Sequence, residues 1–230
     1  QWSGCWSDTS PTLPRSTGTG RTSNLLRPMS DMIREIGRNH IEPLLKPLGF
    51  KRKDVAWNRS RVEFVDVITL QKAKYSTSTE QSITGNIAIC VPEFREIIIG
   101  NTPAFFIEGD GIFTIRFAAL AEDDLSGRAL DRWWNVTDET TGAVASELFD
   151  IVKQKAIPFL DSCSDFLAIE RHLSQLTGWQ TKTPYFQLNK ALLYWKLGDL
   201  SKCDEVLSSV SKWPEQVKMV RERVMKRQAS

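Results

Sequence analysis

Residues 62–71 read VEFVDVITLQ and residues 83–91 read ITGNIAICV, and in both stretches apolar side chains recur at every second position. In the first stretch one face carries four apolar residues, Val62, Phe64, Ile68 and Leu70. A period of two is typical of half-buried β-strands. Because no helical pattern separates the two stretches, they predict neighbouring strands of an antiparallel sheet.

A third stretch, IFTIRFAAL at residues 112–120, repeats this alternation through Phe113, Ile115 and Phe117. A shorter segment around Ala56 and Trp57 predicts one more strand. The residues between the second and third long stretches, 92–111, are partly apolar but follow no single period. For them two possibilities stay open, another strand or a lid-like loop.

Helical spacing appears on both sides of these strands. In residues 30–48 apolar side chains recur every three or four positions, with His40 on the apolar side as a buried histidine. Pro43 predicts a kink or two short helices, and Gly49 predicts the end of the helical stretch.

After the strands, a long helix is expected from a cap at Thr137 or Asp138 to a stop at Pro158. A short helix over residues 163–176 follows. Together, residues 29–176 predict an α+β domain in which an antiparallel sheet packs against helices on one face.

Residues 184–228 predict a C-terminal helical hairpin, opened by Pro184, and a last helix. The string YWKLGDLSKCDEVL resembles the corner between the two helices of a tetratricopeptide unit. One such unit cannot bury its own apolar face, so we expect it to pack on the α+β domain or on another chain. The last helix, residues 215–228, carries five basic residues and two glutamates, which predicts a solvated face.

Composition excludes several classes of protein. The 230 residues are 41% hydrophobic and 25% charged, as in ordinary globular proteins, so global disorder is excluded. A net charge of +2 does not favour nucleic-acid binding. No apolar run approaches the ~18 residues of a membrane-spanning helix, so no membrane partner is expected and a cytoplasmic location is predicted. Residues 1–28, rich in Ser, Thr, Gly and Pro, are expected to be a disordered or mis-annotated extension.

The residues that usually carry catalysis or metal binding form no motif. The four cysteines are scattered, which predicts reduced thiols, and the two histidines lie at no metal-ligand spacing. Phosphate-binding glycine loops and the GxSxG nucleophile motif are missing. We therefore predict no catalytic residue, no metal and no cofactor.

Five pieces of sequence carry a family resemblance. They are LLKPLGFKRKDVAWNR, VDVITLQKAKYS, ITGNIAI, DRWWNV and KAIPFLD, in that order. Over roughly residues 31–172 the chain resembles the bacterial family called domain of unknown function 4304. The resemblance implies a compact α+β fold of bacterial origin and no established activity. The matching positions include Gln71 and Lys72, Asn86, and the pair Trp133 and Trp134.

Seven residues are candidates for a binding surface, and none is a catalytic candidate: Gln71, Lys72, Tyr75, Asn86, Arg116, Trp133 and Trp134. Glutamine, lysine and arginine can hold an anion or a partner carboxylate, whereas tyrosine and tryptophan are enriched at interface hot spots. For the lysines, a solvated sheet edge that discourages strand pairing explains the same pattern. Adjacent tryptophans on an extended segment point in opposite directions, so one is expected to pack inward and one to face outward.

The favoured function is a non-enzymatic, bacterial protein-interaction module whose partner is another protein, in analogy to immunity proteins that neutralise toxins. The alternative is an enzyme or small-ligand-binding protein with a polar pocket between the sheet and the helices, near Gln71, Lys72, Asn86 and Arg116. Nucleic-acid binding through the basic last helix is a third possibility and is not expected.

Overall fold

The computed structural model describes residues 32–77, 80–125, 132–177 and 180–228. The expectation for residues 1–28 lies outside the described residues. Within the described part, the chain forms a six-stranded antiparallel sheet and a set of helices that pack on one face of it. The predicted α+β class is therefore confirmed.

The strands follow one another in space almost as they do in sequence. They are β1 (Lys51–Lys53), β2 (Ala56–Ser60), β3 (Val65–Lys72), β4 (Gln81–Cys90), β5 (Phe113–Arg116) and β6 (Trp134–Val136). The order is β1-β2-β3-β4-β5, and β6 also pairs with β4, at the end next to the β3–β4 hairpin. Such a meander needs only short connections between its first four strands.

The register of β3 and β4 assigns side chains to two faces. Ile68 lies opposite Ile87 on the core face, whereas Thr69 lies opposite Asn86 on the other face, which we call the outer face. The prediction for Val62 is wrong, because Arg61 donates its backbone N–H to the Phe64 carbonyl at 2.8 Å and closes a turn before β3. Val62 is left fully exposed.

The helices begin before the sheet and continue after it. They are α1 (Met32–Ile36), α2 (Glu42–Leu45), α3 (Pro92–Ile99), α4 (Phe117–Ala121), α5 (Thr141–Ile151), α6 (Ile157–Ser162), α7 (Phe166–Gln175), α8 (Pro184–Lys196), α9 (Leu200–Ser209) and α10 (Pro214–Gln228). All ten contribute buried residues to one apolar cluster with the core face of the sheet. A second, small cluster on the outer face contains only strand residues and Phe106.

Each of the two prolines within helical stretches, Pro43 and Pro158, is preceded by its own π-helical segment. The segments Gly37–Ile41 and Val152–Ala156 come two residues before Pro43 and Pro158. A π turn moves the hydrogen-bond ladder by one residue, so the helix can continue past a residue that has no N–H. The predicted stop at Pro158 is therefore wrong, because α6 continues to Ser162. At Pro43 the helical stretch changes its ladder and then ends at Gly49, which has the left-handed φ of 87°.

Other sequence predictions about the helices need correction. His40 lies in the π segment but is exposed, because the wider turn carries it away from the buried side chains Ile36 and Ile41. The residue before α5 is Thr140, which makes no side-chain capping bond. Thr137, one of the two predicted caps, accepts the Thr140 backbone N–H on its Oγ1 at 3.3 Å, in the turn that leads into the helix.

The segment 92–111 contains a helix, which neither sequence alternative anticipated. Pro92 opens α3, where its missing N–H costs nothing, and Gly100 ends the helix with φ 91°. The chain then crosses the outer face. There the Phe106 backbone N–H donates to Asn58 Oδ1 at 2.8 Å, and Asn58 Nδ2 donates to the Phe106 carbonyl at 3.0 Å.

Strand β5, which corresponds to the third alternating stretch of the sequence, is shorter than that alternation predicted. It ends at Arg116, and Phe117 already belongs to α4. The side chain of Phe117 nevertheless stays on the core face, so the buried position was predicted correctly while its secondary structure was not.

The C-terminal helices pack on the same core as the sheet. Buried residues of α8, α9 and α10, among them Leu192, Leu207 and Val220, join the main apolar cluster. The basic face of α10 was expected to be solvated, but only part of it is. Arg223 donates to the backbone carbonyls of Glu96 at 2.9 Å and Ile97 at 2.6 Å. These are carbonyls of the last turn of α3, so the guanidinium stabilises the end of that helix.

Candidate binding surface

Arg116 is held in a fixed orientation on the outer face of the sheet. Its Nη1 donates to Gln71 Oε1 at 3.2 Å, across the intervening strand β4. The guanidinium carbon also lies 5.4 Å from the centroid of the Trp133 ring, in the range of a cation–π contact. We call Gln71, Arg116 and Trp133 the Arg116 patch; Gln71 is exposed and the other two are half-buried.

Buried polar side chains form the floor beneath this patch. Thr69, Asn86 and Arg116 occupy one row across β3, β4 and β5. Asn86 is only 2% exposed, and its Nδ2 donates to Thr69 Oγ1 at 3.4 Å. Thr84 Oγ1 donates to the backbone carbonyl of Arg132 at 3.2 Å, which ties the segment that carries Trp133 to the sheet.

The two adjacent tryptophans point in opposite directions, as predicted. Trp133 faces the outer side, whereas Trp134 is 4% exposed and packs in the main core. The structure therefore does not bring Trp134 to the Arg116 patch, because alternation along β6 sends its ring to the other face. The Arg132 guanidinium lies 4.8 Å from the centroid of the Trp134 ring and covers it.

Lys72 and Tyr75 lie in the hairpin that joins β3 to β4, next to the patch in sequence but not in contact with Arg116. Lys72 pairs with Ile83 and so belongs to the opposite face from Gln71. Tyr75 is 89% exposed. Of the seven predicted residues, the structure brings together Gln71, Arg116 and Trp133 over Asn86.

A comparison with protein families gives a match that covers the patch. A family model described as a domain of unknown function (DUF4304) matches residues 41–162. The chain belongs to this family. The matched region of this DUF4304 protein includes the whole sheet and the Arg116 patch, whereas α7–α10 lie beyond it. The chain matches no curated protein and no solved structure.

A buried ion cluster in the DUF4304 region was missed by the sequence analysis. Asp66, with a fully buried side chain, accepts from Arg59 Nε at 2.7 Å and from Arg61 Nη2 at 2.5 Å. Burial raises the pKa of Asp66, and the positive charges of Arg61 and Arg59 oppose that rise. Arg59 also contacts Asp161 at 2.6 Å, so the cluster joins the sheet to the end of α6. The sequence signal that could have indicated this cluster is the carboxylate of Asp66 in the middle of the apolar run VEFVDVITL.

A serine and a histidine meet between α6 and α7, which the sequence analysis also missed. Ser162 Oγ donates to the Phe159 carbonyl at 2.6 Å and lies 2.9 Å from His172 Nε2. Since the hydroxyl proton is used by the carbonyl, His172 Nε2 donates to Ser162, and the imidazole is not oriented as a general base. Burial lowers the pKa of His172, followed by the effect of the neighbouring Arg171 charge. The pair stabilises the α6–α7 corner.

The described residues contain two further features to consider, groups of possible metal ligands and a surface depression. No group of three or more His, Cys, Asp or Glu residues among the described residues could hold a metal ion. A depression of about 390 Å³ between α3 and α10 is lined by Arg223 and Arg227, but both guanidiniums bind α3. In the described part of the chain, no helix is both long enough and apolar enough to cross a membrane.

Proposed function

We propose that this DUF4304 protein is a non-enzymatic protein-binding module and that the Arg116 patch lies in its contact surface. The observation that carries the proposal is the fixed guanidinium of Arg116, held by Trp133 and Gln71 on the face of the sheet away from the helices. Arginine and tryptophan are enriched among residues that dominate binding energy. A side chain that is already ordered loses less entropy when a partner binds.

The reactive side chains of the described residues also support binding over catalysis. Burial raises the pKa of the Cys163 thiol to about 12 and that of Cys90 well above its usual range, so neither forms a nucleophilic thiolate near neutral pH. Asp66 uses both carboxylate oxygens on arginines. These groups contribute to stability.

A toxin-neutralising role in the bacterial cytoplasm is the finer form of this proposal. It comes from analogy at the level of fold. A partner encoded by a neighbouring gene and bound through the Arg116 patch would support it. A partner without toxic activity would contradict the immunity role but remain consistent with the proposal of a binding module.

The alternative, a small-ligand site between the sheet and the helices, has less support. Gln71, Asn86 and Arg116 all lie on the outer face, while the helices contact the core face through buried apolar side chains. A pocket between sheet and helices would therefore not contain these three residues. Nucleic-acid binding through α10 also has less support, because Arg223 and Arg227 are used to bind α3.

The test is capture of partners from the source organism with the full chain and with Trp133→Ala. If Trp133 is a hot spot, its loss should cost the complex about 2 kcal/mol or more, roughly a thirtyfold rise in Kd. Trp213→Ala is the control, since Trp213 is a surface-accessible tryptophan (41% exposed) that lies away from the patch, between α9 and α10. Circular dichroism confirms that both variants fold. A partner that binds wild type and Trp133→Ala equally would overturn the assignment of the patch.

A further inference from the structure

We propose that the partner presents an acidic protein surface to the β3–β4 hairpin, specifically to the side formed by Lys72, Lys74 and Tyr75. We call these three residues the hairpin tip. The inference rests on the proposed function and deepens it, because it assigns a charge to the partner and a second contact region beside the Arg116 patch.

On its β3 side the hairpin continues past the neighbouring strand β2, whereas on its other side β6 pairs with β4 as far as Gln81. Pairing of β2 with β3 ends at Ala56 and Thr69, but β3 and β4 stay paired as far as Lys72 and Ile83. Two further backbone bonds extend the hairpin, from Ala73 to Ser82 and from Thr77 to Glu80, both 2.8 Å. Lys72, Lys74 and Tyr75 therefore lie on a hydrogen-bonded stretch beyond the end of β2, which lowers the entropy lost on binding.

The charges on this hairpin are divided between its two sides. On the β3 side Lys72 and Lys74 are exposed, and neither forms an ion pair with any residue that the structure describes. On the β4 side Glu80 accepts a hydrogen bond from Asn135 Nδ2 at 2.6 Å, next to β6. Asp138 and Glu139 follow β6, the strand that pairs with β4. The β3 side thus carries uncompensated positive charge around an aromatic ring that is 89% exposed.

This charge pattern favours an acidic protein over a nucleic acid. A nucleic acid gains affinity by placing successive phosphates on a continuous basic surface. Here Glu80 lies on the same hairpin as the two lysines, so a phosphate backbone that runs across the hairpin would meet a negative charge. An acidic protein patch can be compact enough to contact the lysines alone, and tyrosine is a common interface anchor.

The test is a titration of the ¹⁵N-labelled full chain with a defined probe, the peptide acetyl-AEEAEEA-amide, followed by NMR. The control peptide is acetyl-AQQAQQA-amide, which has the same length and no charge. We expect amide shifts at Lys72, Lys74 and Tyr75 with the glutamate peptide and none with the glutamine peptide. In Lys72→Glu/Lys74→Glu the apparent affinity should fall at least tenfold. Lys212→Glu/Lys218→Glu, which makes the same charge change at exposed positions near and on α10, should keep it.

Three results would overturn the inference: equal shifts with both peptides, unchanged affinity in the hairpin variant, or tighter binding of a short DNA duplex at the hairpin tip. The outcome is separable from that of the proposed function. If Trp133→Ala loses a captured partner but the glutamate peptide does not bind the hairpin, the binding module stands and the acidic-partner inference fails. If the peptide binds but Trp133→Ala keeps its partner, the assignment of the Arg116 patch fails instead.

Discussion

The ring of Phe117 lies directly against the backbone of Gly85, with two ring carbons 2.3 Å from the position that a Cβ atom on that glycine would occupy. The first residue of α4 is therefore packed into a gap in the middle of β4 that only glycine leaves open. This contact connects the turn after β5 to the core face of the sheet. It makes a side chain at residue 85 incompatible with the observed packing.

We expect Gly85→Ala to destabilise the protein by about 1–3 kcal/mol, because Phe117 is fully buried and must move to admit a methyl group. Urea unfolding followed by circular dichroism measures the change. Gly142→Ala is the control, since a Cβ there meets nothing within 4 Å. That variant should be neutral or stabilised by up to about 1 kcal/mol. Equal stability of the two variants would contradict the packing of Phe117.

The ion cluster predicts very different costs for two aspartates. Asp66→Asn should destabilise the fold by about 3 kcal/mol or more, because it removes the buried carboxylate with which Arg61 forms an ion pair. Asp161→Asn removes a carboxylate whose side chain is 55% exposed, so its cost should stay below about 1 kcal/mol. Urea midpoints of the two variants measure the difference. A smaller loss for Asp66→Asn than for Asp161→Asn would show that the cluster is wrongly described.

The buried thiols should resist modification in the native protein. Burial raises the pKa of Cys90, Cys163 and Cys203, so the reactive thiolate is scarce at pH 8. In a Cys5→Ser variant, which leaves only these three thiols, reaction with an aromatic disulfide reagent should be slow in buffer and complete in urea. Rapid release of more than one equivalent from the native chain would contradict their burial.

Arg223 should stabilise the contact between α10 and α3. Its guanidinium donates to two carbonyls at the end of α3, so Arg223→Ala should cost about 1–3 kcal/mol. Lys218→Ala removes an exposed cation from the same helix and should change the free energy of unfolding by less than about 0.5 kcal/mol. Chemical denaturation compares the two. Equal effects would mean that only the charge of α10 matters.

His172 predicts a loss of stability below neutral pH. Because burial holds its pKa below the unfolded value of 6.5, the folded protein takes up the proton less readily than the unfolded chain. Stability is therefore fully present above pH ~6.5 and falls as the pH decreases towards the folded pKa. His172→Gln should flatten the dependence of unfolding free energy on pH between 7.5 and 5.5, whereas His40→Gln should retain it. A wild-type profile that is already flat over this interval would contradict the prediction.

Patterns of short range were sufficient to predict the fold class. The alternation in ITGNIAICV predicts a half-buried strand, and β4 forms there. Its residues from Ile83 to Cys90 are nevertheless buried on both faces, because Phe106 packs with Ala88 and Cys90 on the outer face. The same rule predicts that Trp133 and Trp134 point in opposite directions. It cannot predict which of the two faces the core, since that depends on which face of the sheet the helices cover.

The sequence by itself determined the fold class, the strands β2 to β5 between two helical regions, and the glycine at which the first helical stretch ends. Each of these follows from the local geometry of the backbone and from the period of its apolar side chains. Only the tertiary structure decided that Arg116 meets Gln71 across β4, that Arg59 and Arg61 converge on Asp66, and that the helical stretch continues past Pro158. The first two depend on strand register and on contacts between distant segments. The last depends on a shift of the hydrogen-bond ladder, which leaves no periodic signal in the sequence.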